Sequence, residues 1–183
     1  MNKILPLKTS FIVAALLALP LAQAANMSKP NYKAAKTHVS ADYKSDTAAC
    51  ASFSANAKDI CIQQAKAKEK VALAQLEFDY THKPGDQTKL LVVQAETGYA
   101  VAREQCDDKA GNDKAVCVKE AKAVKLKALA DAKLGKQIGQ ARTDAAVAKR
   151  DADYKVDAVK CEALAGDTKD ACIANAKARF GKS

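Results

Sequence analysis

The chain has 183 residues with 30 basic and 21 acidic side chains, so its formal net charge is +9. Alanine is unusually common, whereas large aliphatic side chains are few and tryptophan is absent, which excludes a thick hydrophobic core. Because alanine and lysine are strong helix formers, the composition favours thin, elongated helices over a disordered chain or a compact globule.

The segment 1–24 predicts a cleavable secretory signal peptide. Lys3 and Lys8 precede the apolar run FIVAALLALPL at residues 11–21, and residues 22–24 form an A-x-A cleavage site. The run is well below the roughly 20 residues that a membrane-spanning helix needs, so an uncleaved anchor is kept only as the alternative. Cleavage would leave 28 basic and 21 acidic side chains, a net charge near +7. We therefore expect a periplasmic protein with no transmembrane segment after cleavage.

Three cysteine pairs recur along the rest of the chain. Each pair has ten residues between its members, and the pairs follow one another at nearly equal intervals. A tyrosine lies seven residues before each first cysteine, and an Ala-Lys-Ala motif begins four residues after each second one. The cysteines are Cys50, Cys61, Cys106, Cys117, Cys161 and Cys172, and the tyrosines are Tyr43, Tyr99 and Tyr154. Such a repeat predicts three copies of one supersecondary unit.

The middle of each pair predicts a tight turn between two helices. A glycine there can take the left-handed conformation that ends a helix, and the Asn or Asp that follows can cap the next helix. These turn and cap residues are Ala55, Asn56, Gly111, Asn112, Gly166 and Asp167. Each unit is therefore predicted to be an antiparallel helical hairpin.

The hairpin places the two cysteines of a pair level with each other, roughly 7.5 Å from the bend. Close-packed helices with small neighbours can bring their Cα atoms to the roughly 4.4–6.8 Å that a disulfide needs. We therefore predict local bridges, namely Cys50–Cys61, Cys106–Cys117 and Cys161–Cys172. A ten-residue gap suits neither a zinc site nor a C-x-x-C redox centre, so we expect no metal and no cofactor.

Helix-breaking residues set the expected boundaries. The predicted helices cover about residues 33–54, 58–82, 87–109, 113 onward and 168–179. KPGD at 83–86 predicts a firm break, whereas LGKQIG at 134–139 either ends the fourth helix or weakens a long one that reaches Leu164. The expected units are the signal peptide at 1–24 and hairpin repeats at 25–82, 87–134 and 135–183.

Two sets of side chains are candidates for contacts. The repeated tyrosines share a face with the cysteines, so we expect them to pack on the partner helix, with stacking on a ligand as the alternative. Lysines on the second helices of the first two repeats could contact anionic groups through charge. These are Lys66, Lys68, Lys70, Lys122, Lys125 and Lys127.

Other chemistry finds little support in the sequence. No hydrolase motif, metalloprotease motif or phosphate-binding glycine loop is present, so we expect no catalytic residues and no enzyme. Acidic residues alternate with the lysines, and aromatic residues are only 5% of the chain. The chain therefore offers few side chains that could stack on nucleic-acid bases, and nucleic acid is not an expected partner.

The repeat resembles that of a known group of proteins. Its pattern, Y-x6-C-x4-G-[ND]-x-K-x2-C-x3-AKA, is seen at Tyr99 to Ala123 and at Tyr154 to Ala178. It is similar to the pattern of uncharacterised Ala- and Lys-rich periplasmic proteins of proteobacteria, often labelled TolA-like. The resemblance implies a part in envelope integrity and transfers no functional residue.

These observations predict an all-α protein of three disulfide-linked hairpins, packed as an elongated bundle or array. We expect a non-enzymatic structural or stress-related protein of the cell envelope that acts through its helical surfaces. The alternative is a binding module for lipopolysaccharide or anionic glycan that uses the lysine-rich faces. Its partners would accordingly be envelope proteins or anionic envelope polymers.

Overall fold

The computed structural model describes residues 27–182, and over this range the chain forms α-helices and no strand. The helices are α1 (Lys29–Ala49), α2 (Ala55–Thr81), α3 (Pro84–Gln105), α4 (Gly111–Cys161) and α5 (Gly166–Phe180). Short 3-10 turns, Cys50–Ser52 and Cys106–Asp108, follow α1 and α3. The predicted all-α class is confirmed, whereas the predicted signal peptide lies outside the described residues.

The helices pack in the order in which they follow one another. Contacts join α1 to α2, α2 to α3, α3 to α4 and α4 to α5, and over residues 27–182 no other pair of these helices makes more than a marginal contact. Over residues 27–182 the protein is therefore a serial array of antiparallel helices in which α3, packed between α2 and α4, is the central helix. Each helix has few neighbours, so much of its surface is exposed.

α4 is the longest element and belongs to two hairpins. Its 51 residues span roughly 76 Å at about 1.5 Å per residue. Its beginning packs against α3 and its end against α5, while every residue from 133 to 150 is exposed. Residues 134–139 do not end the helix, although Gly135 and Gly139 each cost it about 1 kcal/mol relative to alanine. The boundary expected between the second and third repeats thus falls inside one continuous helix.

Two helix starts differ from the predicted ones for the same reason. α1 begins at Lys29, where the Asn31 backbone N–H donates to Ser28 Oγ at 3.3 Å, and Pro30 lies in the first turn. α3 begins at Pro84, so the break lies at His82 and Lys83 rather than across residues 83–86. Proline is suited to a first turn because its missing N–H has no helical partner there.

The turns at the three bends share one backbone conformation. Ala55, Gly111 and Gly166 have φ angles of 48°, 52° and 56°, in the left-handed region. In each turn this residue is the first of the following helix, because the preceding helix has already ended near the first cysteine.

The expected capping role of the next residue is therefore wrong. The N-cap residues are Ser54, Ala110 and Ala165, none of which makes a side-chain capping hydrogen bond. The predicted caps Asn56, Asn112 and Asp167 occupy the second position of their helices. Asn56 instead links two hairpins, since its Nδ2 donates to the Glu104 backbone carbonyl at 3.2 Å.

The disulfides lie at these bends with the predicted pairing. Cα atoms are 5.6 Å apart in Cys50–Cys61 and 5.7 Å apart in both Cys106–Cys117 and Cys161–Cys172. The first cysteine of each pair is at most 1% exposed, which makes these three the most completely buried side chains in residues 27–182. The rest of the core is thin. It consists mainly of alanine with two leucines, Leu76 and Leu90.

The backbone at Ala55 predicts a stabilising substitution. An L-residue in the left-handed region costs about 1–2 kcal/mol, and part of this is regained with glycine, so Ala55→Gly should raise the free energy of unfolding by about 0.5–1 kcal/mol. Urea unfolding followed by circular dichroism measures the change. The matched control is Ala57→Gly, which lies in a regular helical turn and should lower stability by about 0.5–1 kcal/mol. Equal effects of the two substitutions would contradict the prediction.

The third disulfide should control the third hairpin locally. α5 packs only on α4, and closing a loop with a sequence separation of 11 contributes about 2.8 kcal/mol. Replacing Cys161 and Cys172 by serine should therefore lower the hydrogen-exchange protection of residues 166–180 by about 100-fold.

The matched control replaces Cys50 and Cys61 by serine. α2 also packs on α3, so its amides should keep most of their protection in that variant. Unchanged protection of α5 in the first variant would show that its packing on α4 alone holds it in place.

Candidate functional site

The repeated tyrosines lie at the boundaries between helices, where each is half-buried. The Tyr99 ring on α3 has Lys125 Nζ of α4 5.2 Å from its centroid. Tyr154 on α4 meets Phe180 edge to face at 6.3 Å, with Lys182 Nζ 6.0 Å away. Tyr43 on α1 lines a small cleft beside Lys68 of α2. All three tyrosines thus meet residues of the partner helix or of the segment that follows it.

The six lysines proposed as anion contacts do not form one surface. Lys68 Nζ lies 2.8 Å from Asp46 Oδ2 of α1, and Lys125 lies over Tyr99, so both are directed at partner helices. The other four, Lys66, Lys70, Lys122 and Lys127, are exposed. The spacing of Lys66 and Lys70 places them on the same side of α2, away from Lys68. Only part of the predicted set is therefore available to an anionic partner.

Positive charge is concentrated on the stretch of α4 from position 111 to position 150. It contains ten basic and four acidic side chains, whereas residues 27–182 as a whole contain 28 and 21. The basic ones are Lys114, Lys119, Lys122, Lys125, Lys127, Lys133, Lys136, Arg142, Lys149 and Arg150. Residues 111–150 therefore carry a net charge of +6, out of a net charge of +7 for residues 27–182. Only three of its lysines are among the predicted anion contacts, and a running charge count along the sequence would find the rest.

An apolar groove of about 510 Å³ lies between α3 and α4. Small residues line it, among them Gly98, Ala95 and Ala128, together with Tyr99 and Lys125. Val124, which also lines the groove, is 71% exposed. The groove follows from the alanines that α3 and α4 place along their contact, because small side chains leave space where larger ones would interdigitate.

An aromatic cluster lies where the first turn of α1 meets the last turn of α2. Tyr32 stacks on Tyr80 with ring centroids 4.4 Å apart, and its hydroxyl donates to the Glu77 carboxylate. This hydrogen bond, together with partial desolvation, raises the pKa of Tyr32. The contribution of the bond to stability is therefore fully present below the usual tyrosine pKa and is lost as the pH rises through the raised value. Neither tyrosine is part of the repeat, so the repeat pattern does not reveal the cluster.

Ion pairs across helices also link the third hairpin. Lys182 Nζ lies 2.6 Å from Asp151 Oδ1 of α4, and this hydrogen bond lowers the pKa of Asp151. The pair therefore favours the folded hairpin above the usual aspartate pKa, and this contribution is lost as the pH falls through the lowered value. Because both groups remain open to water, the contribution is small.

All six cysteines are in disulfides, so none is available as a thiolate nucleophile or metal ligand. The part of the chain that the structure describes contains no cluster of three or more His, Cys, Asp or Glu side chains suited to a metal ion. None of the helices within residues 27–182 combines the length and apolar character that crossing a bilayer requires.

Comparisons of the chain with protein-family models, with curated proteins and with solved structures gave no match. Inferences about function therefore depend on the chain's own features. The disulfides are the most informative of these, since three of them together indicate an oxidising compartment outside the cytosol. The exposed faces of the long helices are the second informative feature, because they are the surfaces that a partner could contact.

Proposed function

We propose that the protein is a non-enzymatic, structural or stress-related component of the bacterial cell envelope, located in the periplasm, that acts through its helix faces. The observation that carries the proposal is the use of a disulfide at every hairpin bend, in an array whose remaining core is mostly alanine. Such a molecule keeps its shape in an oxidising compartment without a large core. The predicted signal peptide and the TolA-like resemblance support the same compartment.

Deletion of the gene in the source bacterium tests this role. We expect sensitivity to osmotic, detergent and oxidative challenge, restored by the wild-type chain and not by the variant with Cys161 and Cys172 replaced by serine. Fractionation should place the protein in the periplasm with residues 1–24 removed. An envelope that is unaltered under all three challenges would contradict the proposal.

A second candidate function is binding of an anionic envelope polymer such as lipopolysaccharide or glycan. The concentration of positive charge on residues 111–150 favours it, because a row of cations along one helix can follow a linear polyanion. Residues 133–150 are also exposed on all sides. A polymer could therefore approach this stretch without displacing another helix.

Chromatography on immobilised heparin and binding to lipopolysaccharide test this candidate. Retention should weaken steeply with salt, because binding of this kind releases counterions. Replacing Lys133 and Lys136 by glutamine should lower the eluting salt concentration. The matched control replaces Lys33 and Lys44 of α1, which removes the same charge from an exposed helix and should have little effect. Equal effects of the two variants, or no retention at low salt, would exclude a site on α4.

A further inference from the structure

An apolar seam runs along the side of α4 that faces away from α3 and α5. It begins at Leu134 and Ile138, continues through alanines spaced by three or four residues up to residue 152, and ends at Val156 and Val159. This spacing keeps all its members on one side of the helix from position 134 to position 159. With Ile138 as an a position of a heptad, a and d positions are apolar from Leu134 to Ala152, whereas the next d position is Lys155.

The seam is exposed over its whole length. Leu134, Ile138, Val156 and Val159 are 54%, 45%, 55% and 64% exposed, and the alanines between them are exposed as well. The residues of α4 that face α3 and α5, such as Ala132 and Cys161, are buried and lie on another side of the helix. Packing inside residues 27–182 therefore leaves the seam uncovered.

The charges beside the seam identify what fits it. With Ile138 and Ala145 as a positions of a heptad, Arg142 and Lys149 occupy e positions, and Asp144 and Asp151 occupy g positions. All charges on one flank are thus basic, and all on the other are acidic. Asp144 and Lys149 make no ion pair within residues 27–182, whereas Asp151 pairs with Lys182.

This pattern suits a second copy of the chain in a parallel orientation. In a parallel coiled coil a g residue meets the e residue five positions later in the partner, which places Asp144 opposite Lys149 in both directions. In an antiparallel pair, e residues meet e and g residues meet g, so like charges would face each other in any register. Lys136 and Arg150 fall at f positions, away from the contact, and do not oppose the pairing.

We propose that the protein forms a parallel, in-register homodimer through residues 134–152 of the seam on α4. The alanines let the two helix axes approach closely, and the larger Leu134 and Ile138 at the N-terminal end of the contact fix the register. The contact also supplies packing to residues 133–150, which are exposed throughout and include two glycines that weaken the helix. The inference does not depend on the proposed envelope role, because it concerns only the self-association of the purified chain.

Analytical ultracentrifugation of the full mature chain over a range of concentrations tests the dimer. We expect a monomer–dimer equilibrium that Ile138→Asp weakens by about tenfold or more, since a carboxylate inside the contact loses its water. The matched control is Val147→Asp. Val147 is similarly exposed, at 41% compared with 45%, but lies on another side of α4, so its substitution should leave the equilibrium unchanged.

Charge reversal tests the orientation. Asp144→Lys and Lys149→Asp should each weaken association by about threefold, and the double variant should restore it, because two symmetric ion pairs are first lost and then rebuilt. Far-ultraviolet circular dichroism confirms that each variant stays helical.

Three results would overturn the proposal. One is a chain that remains monomeric at all concentrations up to the millimolar range, whether its seam stays exposed or is covered by another part of the same chain. Another is equal weakening by Ile138→Asp and Val147→Asp, which would place a dimer contact elsewhere. The third is tighter association of Asp144→Lys, which would indicate an antiparallel pair.

Discussion

The disulfide at the bend of each of the three repeated hairpins is the constraint on which the rest of the structure depends. Apart from the cysteines, the buried side chains are mostly alanines, which remove little apolar surface from water. A covalent link beside the turn compensates, since it limits the unfolded hairpin as well as joining the folded one. The first cysteine of each pair also takes the most buried position, so the same side chain supplies part of the link and the centre of its hairpin core.

Short side chains at the seams have consequences for shape. Helices that meet through alanine approach closely but bury little area, and in this chain each helix packs only on those next to it in sequence, which gives a serial array over residues 27–182. Such an array has a large surface for its size. The open groove beside Tyr99 and the exposed stretch of α4 both follow from this small side-chain volume.

The hairpins and their disulfides could be predicted from sequence because they depend on local spacing, and the same spacing occurs in all three repeats. The capping residues could not, because a 3-10 turn or an extended residue moves each helix end, and spacing alone does not locate such a turn. Whether α4 is one continuous helix could not be decided from the sequence, and the reason is energetic. Two glycines cost about 2 kcal/mol together, which good helix formers on either side can offset. The contact between α2 and α3 joins two different repeats, and no residue position that the repeats share predicts it.

The two connections between repeats differ in a way that bears on function. Repeats one and two are joined by His82 and Lys83, which turn the chain back so that α2 and α3 pack together. Repeats two and three share α4, whose residues 133–150 are exposed throughout and separate the third hairpin from the second. The same repeated unit therefore produces a packed group of helices and a projecting arm. Because the arm contains both the apolar seam and much of the positive charge, it is the part of the molecule best suited to meet a partner.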